Sequence, residues 1–371
     1  MGAACAATHS MEMAVVDCTD QLEPVRVRFE LPALAAAVVR DDRLVALGAC
    51  GVRRWATDAR VTPSDKFHIG SLTKSMTATL AARLVEQGKI RWDSTLGEVF
   101  PERAARFDPA YRQVTLEQLL AHQGGVPASL QADGLWASLW ERREPPREQR
   151  LYLLDRLTSR PPEVPPGTKH LYSNGGYALA GAMLERVTDQ AWEELIRREL
   201  FDPLEMSSAG FGAPATPGQM DQPWGHLFRK RGYQPIPPGP RADNPPAIAP
   251  AGAVHCSLPD LARYARFHLR GARGRESWLT PRSFEKLHTP VGASDYAMGW
   301  IVVRREWAAD RALTHAGSNT MFFAVVWLAP ARDFAVVVAT NAGGSAAEQA
   351  CDRAAWLLIQ QWLGENAPGP P

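Results

Sequence analysis

Ser71 and Lys74 stand three residues apart in the run Phe67-His-Ile-Gly-Ser-Leu-Thr-Lys74, just ahead of an amphipathic stretch. On a helix such a pair shares one face, one turn apart. A serine at a helix start also has its oxygen near the positive end of the dipole. The amine can take the hydroxyl proton, or hold a neighbouring base in its charged form. A serine hydroxyl is a weak nucleophile near neutral pH, so covalent catalysis requires activation of this kind. The spacing alone also fits an N-cap followed by an ordinary first-turn lysine. It recurs at Ser283-Phe-Glu-Lys286.

Order separates the two copies. Tyr172-Ser-Asn174 follows Ser71, and His315-Ala-Gly317 comes much later. Ser-x-x-Lys, then Tyr-x-Asn, then His/Lys-x-Gly is the ordered triple of the serine β-lactamases and penicillin-binding proteins. Ser283 cannot head it, because Tyr172 lies upstream. The chain resembles the branch of that superfamily holding class C β-lactamases, D-Ala-D-Ala carboxypeptidases, D-aminopeptidases and family VIII carboxylesterases. The resemblance runs from about Leu31 to near Leu363. It is supported by Leu119-Leu-Ala-His-Gln-Gly-Gly-Val126, Pro250-Ala-Gly-Ala253, Asp260-Leu-Ala-Arg263 and Met298-Gly-Trp300. It implies an α/β (α+β) β-lactamase-like fold: an antiparallel sheet flanked by helices, an inserted all-helical lobe, and the active site between them.

In this scheme Ser71 is the nucleophile and forms an acyl-enzyme that water releases. Lys74 and Tyr172 both stand as candidate bases, and Tyr172 also as the acid for the leaving group. A phenol has an ordinary pKa near 10, so Tyr172 is a base only if cations favour its phenolate. Lys74 and a protonated His315 are the candidate cations. By resemblance Asn174 faces the site and holds Lys74 or the substrate; Asn174-Gly-Gly176 is also a turn signal. The resemblance points to the backbone amides of Ser71 and Ser318 as oxyanion donors. Gly317 lets substrate lie against the strand.

His315 stands where most β-lactamases carry lysine. A histidine titrating near neutral pH predicts pH-dependent binding or turnover. Ala316 lacks the hydroxyl with which relatives bind a substrate carboxylate. The expectation is therefore a carboxylesterase for short acyl esters. A β-lactamase or a D-amino-acid-specific peptidase (DD-carboxypeptidase or D-aminopeptidase) is the enzyme alternative. A noncatalytic penicillin-binding sensor or scaffold is the alternative of another class. The partner expected is a small-molecule ester, β-lactam or D-peptide.

Other residues carry less. His122-Gln-Gly124 also fits His-x-Gly, but its helical context assigns it a structural role. Trp136, Trp140, Trp224, Phe322 and Phe323 could line an acyl pocket, although packing explains most of them equally. No metal or nucleotide motif occurs, so neither a metal nor a cofactor is expected. A Gly-x-Ser-x-Gly elbow is also absent.

The elements that must position these groups are legible in outline. Ala33–Arg40 and Arg43–Cys50 read as a hairpin about Asp41-Asp42. Leu72, Met76, Leu80 and Leu84 recur every fourth residue, which predicts a helix stopped at Gly88. A docking helix precedes Leu31, helical periodicity runs from Leu116 to about Leu200, and a long loop spans Gln222–Gly252. Leu258–Leu269 reads as a helix. Four strands follow, at 298–303, 311–315, 321–329 and 334–340, and a helix over 346–363 closes the chain. This pattern predicts a discontinuous sheet domain, residues 1–60 with 252–371, and a mainly helical domain, 61–251.

The 371 residues with 45% apolar content can build such a core, and a formal charge of +1 implies no nucleic-acid or membrane-surface partner. No run is apolar enough to span a bilayer. Met1–Ser10 does not read as a signal peptide, and Gly2 lacks the context for myristoylation. Five scattered cysteines predict reduced thiols. The compartment expected is cytoplasmic, or periplasmic or secreted if a leader has been removed. The oligomeric state is left open.

Overall fold

A computed structural model describes residues 14–364 except Arg231 and Glu276. The expectations on Met1–Ser10 and Cys5 fall outside those residues. The chain opens with β1 (Val16–Asp17), α1 (Thr19–Arg28), β2 (Ala33–Arg40) and β3 (Arg43–Gly51). β4 (Lys66–His68) leads through a 3-10 turn, Gly70–Leu72, into α2 (Thr73–Glu86). The middle is mostly helical, with α3 (Leu116–Leu120), α4 (Pro146–Thr158) and α5 (Asn174–Thr188). Then come β5 (Gly210–Phe211), β6 (Gly225–Arg229), β7 (Gly232–Ile236), β8 (Val254–Ser257), α6 (Leu258–Ala272) and α7 (Pro281–Leu287). The chain ends with β9 (Tyr296–Ala297), β10 (Trp300–Arg305), β11 (Asp310–Ser318), β12 (Phe323–Ala329), β13 (Phe334–Thr340) and α8 (Ser345–Leu363).

The main sheet has eight strands in the order β1-β3-β2-β13-β12-β11-β10-β9. Only β1 with β3 is parallel; the other pairs are antiparallel. Successive side chains of a strand point to opposite faces. Ala35, Ala37, Val337 and Val326 join the core under α6, while Leu34, Ala36, Val338 and Val325 join the one under α1 and α8. Both faces are covered, which is why Ala33–Val39 is apolar and buried throughout instead of alternating.

The period-four stripe of α2 behaves as predicted: Leu72, Met76, Leu80 and Leu84 are buried. Cutting Leu80 to alanine would cost about 2–5 kcal/mol. Gly88 ends that helix with φ +67, a conformation that favours glycine. In α4, Arg150 is fully buried and forks onto Glu185 of α5 at 2.6 Å and Glu193 at 2.7 Å. That fork fixes α5, whose first turn enters the site.

One expectation is corrected. Gln222–Gly252 is not a structureless loop: it holds the β6–β7 hairpin, a 3-10 turn at Pro246–Ile248 and a helical turn at Ala249–Gly252. Its proline and glycine content hid a two-stranded ribbon, in which Pro235 can sit because it needs no second partner strand.

Candidate active site

Ser71 lies within the 3-10 turn ahead of α2 and makes no side-chain cap to it, so the N-cap reading fails. Lys74, one turn on, brings Nζ to 3.0 Å from Ser71 Oγ. The same nitrogen lies 2.8 Å from Asn174 Oδ1 and 2.8 Å from the carbonyl oxygen of Ala251. Lys74 is fully buried, and that desolvation pushes its pKa well below the ordinary lysine value. The ring of Tyr172 lies 4.7 Å from Nζ, and such a contact repays only a small part of the cost of burying an ammonium.

Tyr172 donates from its hydroxyl to Ser71 Oγ at 2.8 Å. Its side chain is 38% exposed overall, yet it stands among protein groups dense enough to raise the phenol pKa to about 12. The hydrogen bond to Ser71 offsets that rise only in part. Asn174 begins α5, where Ser173 caps the helix by accepting from the Gly176 amide at 3.2 Å. Asn174 is thus both a turn residue and a lysine ligand.

β11 forms the opposite wall. β10 pairs with it only over Asp310–Thr314, so on that side His315–Ser318 has no strand neighbour. There it meets the Ser71 turn backbone to backbone. A Cβ added at Gly317 would fall 2.4 Å from the Ser71 nitrogen, and one at Gly70 would fall 2.2 Å from the Ser318 nitrogen. No side chain fits at either position, and Gly70 also has φ +51.

The expectation that His315 titrates near neutral pH does not hold. It is buried, and desolvation together with Lys74 pushes its pKa down to about 4. Its Nδ1 donates to the Ala316 carbonyl at 2.7 Å, which leaves Nε2 to accept from the Tyr296 hydroxyl at 3.3 Å. It is neutral at pH 7 and supplies no cation for a Tyr172 phenolate. Ala316 is exposed and brings no hydroxyl.

Several neighbours were not read from sequence as part of this centre. The buried His122 ring lies 4.3 Å from the Tyr172 ring and 4.8 Å from that of Tyr296. Its carbonyl accepts from the Leu171 amide at 2.7 Å, and its Nδ1 from the Ser173 amide at 3.1 Å. The structural role assigned to His122 is therefore exercised on the two amides flanking Tyr172. The His-x-Gly match was the available signal; φ +58 just past α3 turns the ring into the wall. Tyr296 and Asp243 belong to no motif.

The second Ser-x-x-Lys copy is elsewhere, on α7. Ser283 Oγ donates to Glu86 at 2.5 Å and Lys286 pairs with Glu117 at 2.6 Å. Of the five aromatic candidates, Phe322 packs near His68 and accepts from Ser318 Oγ through its carbonyl. Phe323 faces the core under α8. Trp136 packs edge-on against Trp140, and Trp224 lies under Arg54. The four described cysteines are free and buried. Among the described residues no acidic, histidine and cysteine cluster is placed to hold a metal, and no helix is long and apolar enough to cross a membrane.

Known proteins are similar to this chain in sequence and fold. The chain is 27% identical over 360 residues to penicillin-binding protein 4 of Amycolatopsis lactamdurans, covering 94% of this chain and 89% of that one. It is 23% identical over 314 residues to protein flp of Staphylococcus aureus (strain COL), with 84% of this chain matched but only 60% of flp's length. Its fold is similar to that of the octameric penicillin-binding protein homologue from Pyrococcus abyssi. That match has a TM-score of 0.74 and 24% identity, over 92% of this chain and 76% of the other. Residues 21–361 match the Beta-lactamase family. The chain thus belongs to that family, within the serine hydrolase superfamily of β-lactamases and penicillin-binding proteins.

Proposed function

We propose that this protein is a carboxylesterase that works through an acyl-enzyme on Ser71. The observation that carries the reading is the valence of Lys74. A neutral amine has two N–H donors and one lone pair. Two oxygens, on Asn174 and Ala251, each lie 2.8 Å from Nζ. In the neutral form that burial favours, with both donors committed there, the lone pair is left for Ser71 Oγ at 3.0 Å. Lys74 is then the general base, and Tyr172, with its pKa near 12, is a proton donor rather than a base.

The reaction follows from these positions. The Ser71 hydroxyl gives its proton to Lys74 as Oγ attacks the ester carbonyl. The amides of Ser71 and Ser318 receive the negative charge that develops on the carbonyl oxygen, an effect of roughly 3 kcal/mol per donor. Tyr172 hands a proton to the departing alkoxide and is resupplied by the proton Lys74 took from Ser71, because the acylated Oγ carries none. Water then attacks the acyl-enzyme by the reverse route.

The ester lean rests on charge. Burial disfavours the charged form of Lys74, His315 is neutral at pH 7, and Ala316 has no hydroxyl. None of these three groups offers the attraction to a carboxylate that a β-lactam or peptide terminus calls for. The similarity to a penicillin-binding protein supports the second reading, hydrolysis of β-lactams or D-peptides. Steady-state rates on p-nitrophenyl butyrate, nitrocefin and a D-alanyl-D-alanine peptide separate the two. We expect the ester to have the highest kcat/KM; if it is the poorest substrate, the lean is wrong. A fluorophosphonate probe tests catalysis itself. A folded parent chain that takes no label would point to a sensor or scaffold.

A further inference from the structure

Behind the Ser71 turn lies a buried carboxylate with no role in the scheme above. Asp243 precedes the Pro246–Ile248 turn and is nearly inaccessible. Its Oδ1 is 2.8 Å from His68 Nε2 and 3.2 Å from Asn319 Nδ2. His68 is wholly buried, and its Nδ1 accepts the Gly70 amide at 3.1 Å. The ring proton therefore sits on Nε2, facing Asp243. The approach is off the N–H axis, so it acts through charge more than as a straight hydrogen bond. Asn319 Oδ1 accepts the amides of Met321 at 3.2 Å and Phe322 at 3.0 Å, which shapes the turn just after Ser318.

One oxygen thus ties together two strands distant in sequence. One arm reaches the residue before Ser71; the other reaches the residue after Ser318. The same segment reaches further into the site. Asn244 Nδ2 donates to the Gly252 carbonyl at 3.0 Å, and the adjacent Ala251 carbonyl holds Lys74.

We propose that Asp243 is a positioning residue: its carboxylate sets the spacing between the Ser71 and Ser318 amides. This rests on the reading of those amides as the oxyanion donors. Asp243 touches no reacting atom, so its effect must appear in the transition state and not in substrate affinity.

The test is Asp243→Ala in the full chain, read by steady-state kinetics on p-nitrophenyl butyrate and by inhibition with a phenylboronic acid. The tetrahedral boronate on Ser71 would put an oxygen between the two amides. We expect kcat to fall about 100-fold, the scale of a displacement near 1 Å, with KM within about twofold. Boronate affinity should weaken in parallel. Asp243→Asn retains the acceptor for Asn319 but not the charge that faces His68, so it should recover only part of both. Should Asp243→Ala not fold, Asn319→Asp serves instead. It retains the acceptor for Met321 and Phe322 but sets a carboxylate against Asp243, and the same kcat loss is expected. A folded variant with parental kcat and boronate affinity would overturn the proposal. An unlabelled parent chain, or an active Ser71→Ala, would instead sink the underlying nucleophile reading.

Discussion

The two Ser-x-x-Lys copies have the same spacing but opposite chemistry. Lys74 is wholly buried and faces two neutral oxygens and a hydroxyl. Lys286 is 35% exposed and faces the carboxylate of Glu117. Burial without a counter-ion disfavours the charged form of an amine, and Lys74 has no carboxylate beside it. Ser283, for its part, gives its hydrogen bond to Glu86, whose pKa, against partial desolvation, the hydrogen bonds from Ser283 and Thr280 hold below the ordinary value, which makes it a weak base. Spacing brings serine and lysine together; the absence of an acid beside Lys74 makes the pair reactive.

The sharpest way to break this contrast is to delete each serine. Ser71→Ala should lower kcat/KM by at least ~10³-fold and abolish fluorophosphonate labelling. Ser283→Ala should leave both unchanged, and a swap of these outcomes would reverse the assignment. Tyr172→Phe comes next, with a fall of about 10²–10³ in kcat, the range for loss of a proton donor. Stopped-flow traces that kept the parental acylation rate would argue against that role.

The pH profile probes the contrast more gently. Lys74 must be neutral to accept a proton, and its pKa lies well below the ordinary 10.5. Activity should therefore rise with pH on an acid limb centred well below 10.5. It should then stay level until Tyr172 ionises near 12. An acid limb centred near 10.5 would mean that burial leaves the amine of Lys74 charged.

The smallest effect is on stability. Burial holds His226, His255 and His315 at about 4 and His288 at about 3, against an ordinary 6.5. Between those values the unfolded chain binds protons that the folded chain does not, so stability rises with pH there. The contribution is complete above about 6.5 and fades as pH falls toward 4. Thermal melts between pH 7.5 and 4.5 should show Tm falling on the acid side; a flat profile would contradict the buried, neutral histidines.

Much of this centre was legible beforehand, because motif order is a long-range signal. Ser71, Lys74, Tyr172 and Asn174 touch as their order implied. The hairpin about Asp41-Asp42 and the α2 stripe follow from local chemistry, positive φ at both turn residues and a four-residue period. Environment was the part not readable. His315 carries no mark in its sequence neighbourhood that it would be buried beside Lys74, so its titration near neutrality was expected and did not survive. Asp243 sits in a proline-rich stretch, and its partners lie 175 residues before it and 76 residues after it in the chain. No window on the sequence spans that distance.

The backbone contact between Gly70 and Ser318 joins segments from opposite ends of the chain. Contacts between such remote segments form slowly, because the intervening chain must first be ordered. In refolding, hydrolysis of p-nitrophenyl butyrate should therefore recover late, lagging behind the recovery of helical circular dichroism. Enzymatic rate then serves as a reporter of the last step of assembly.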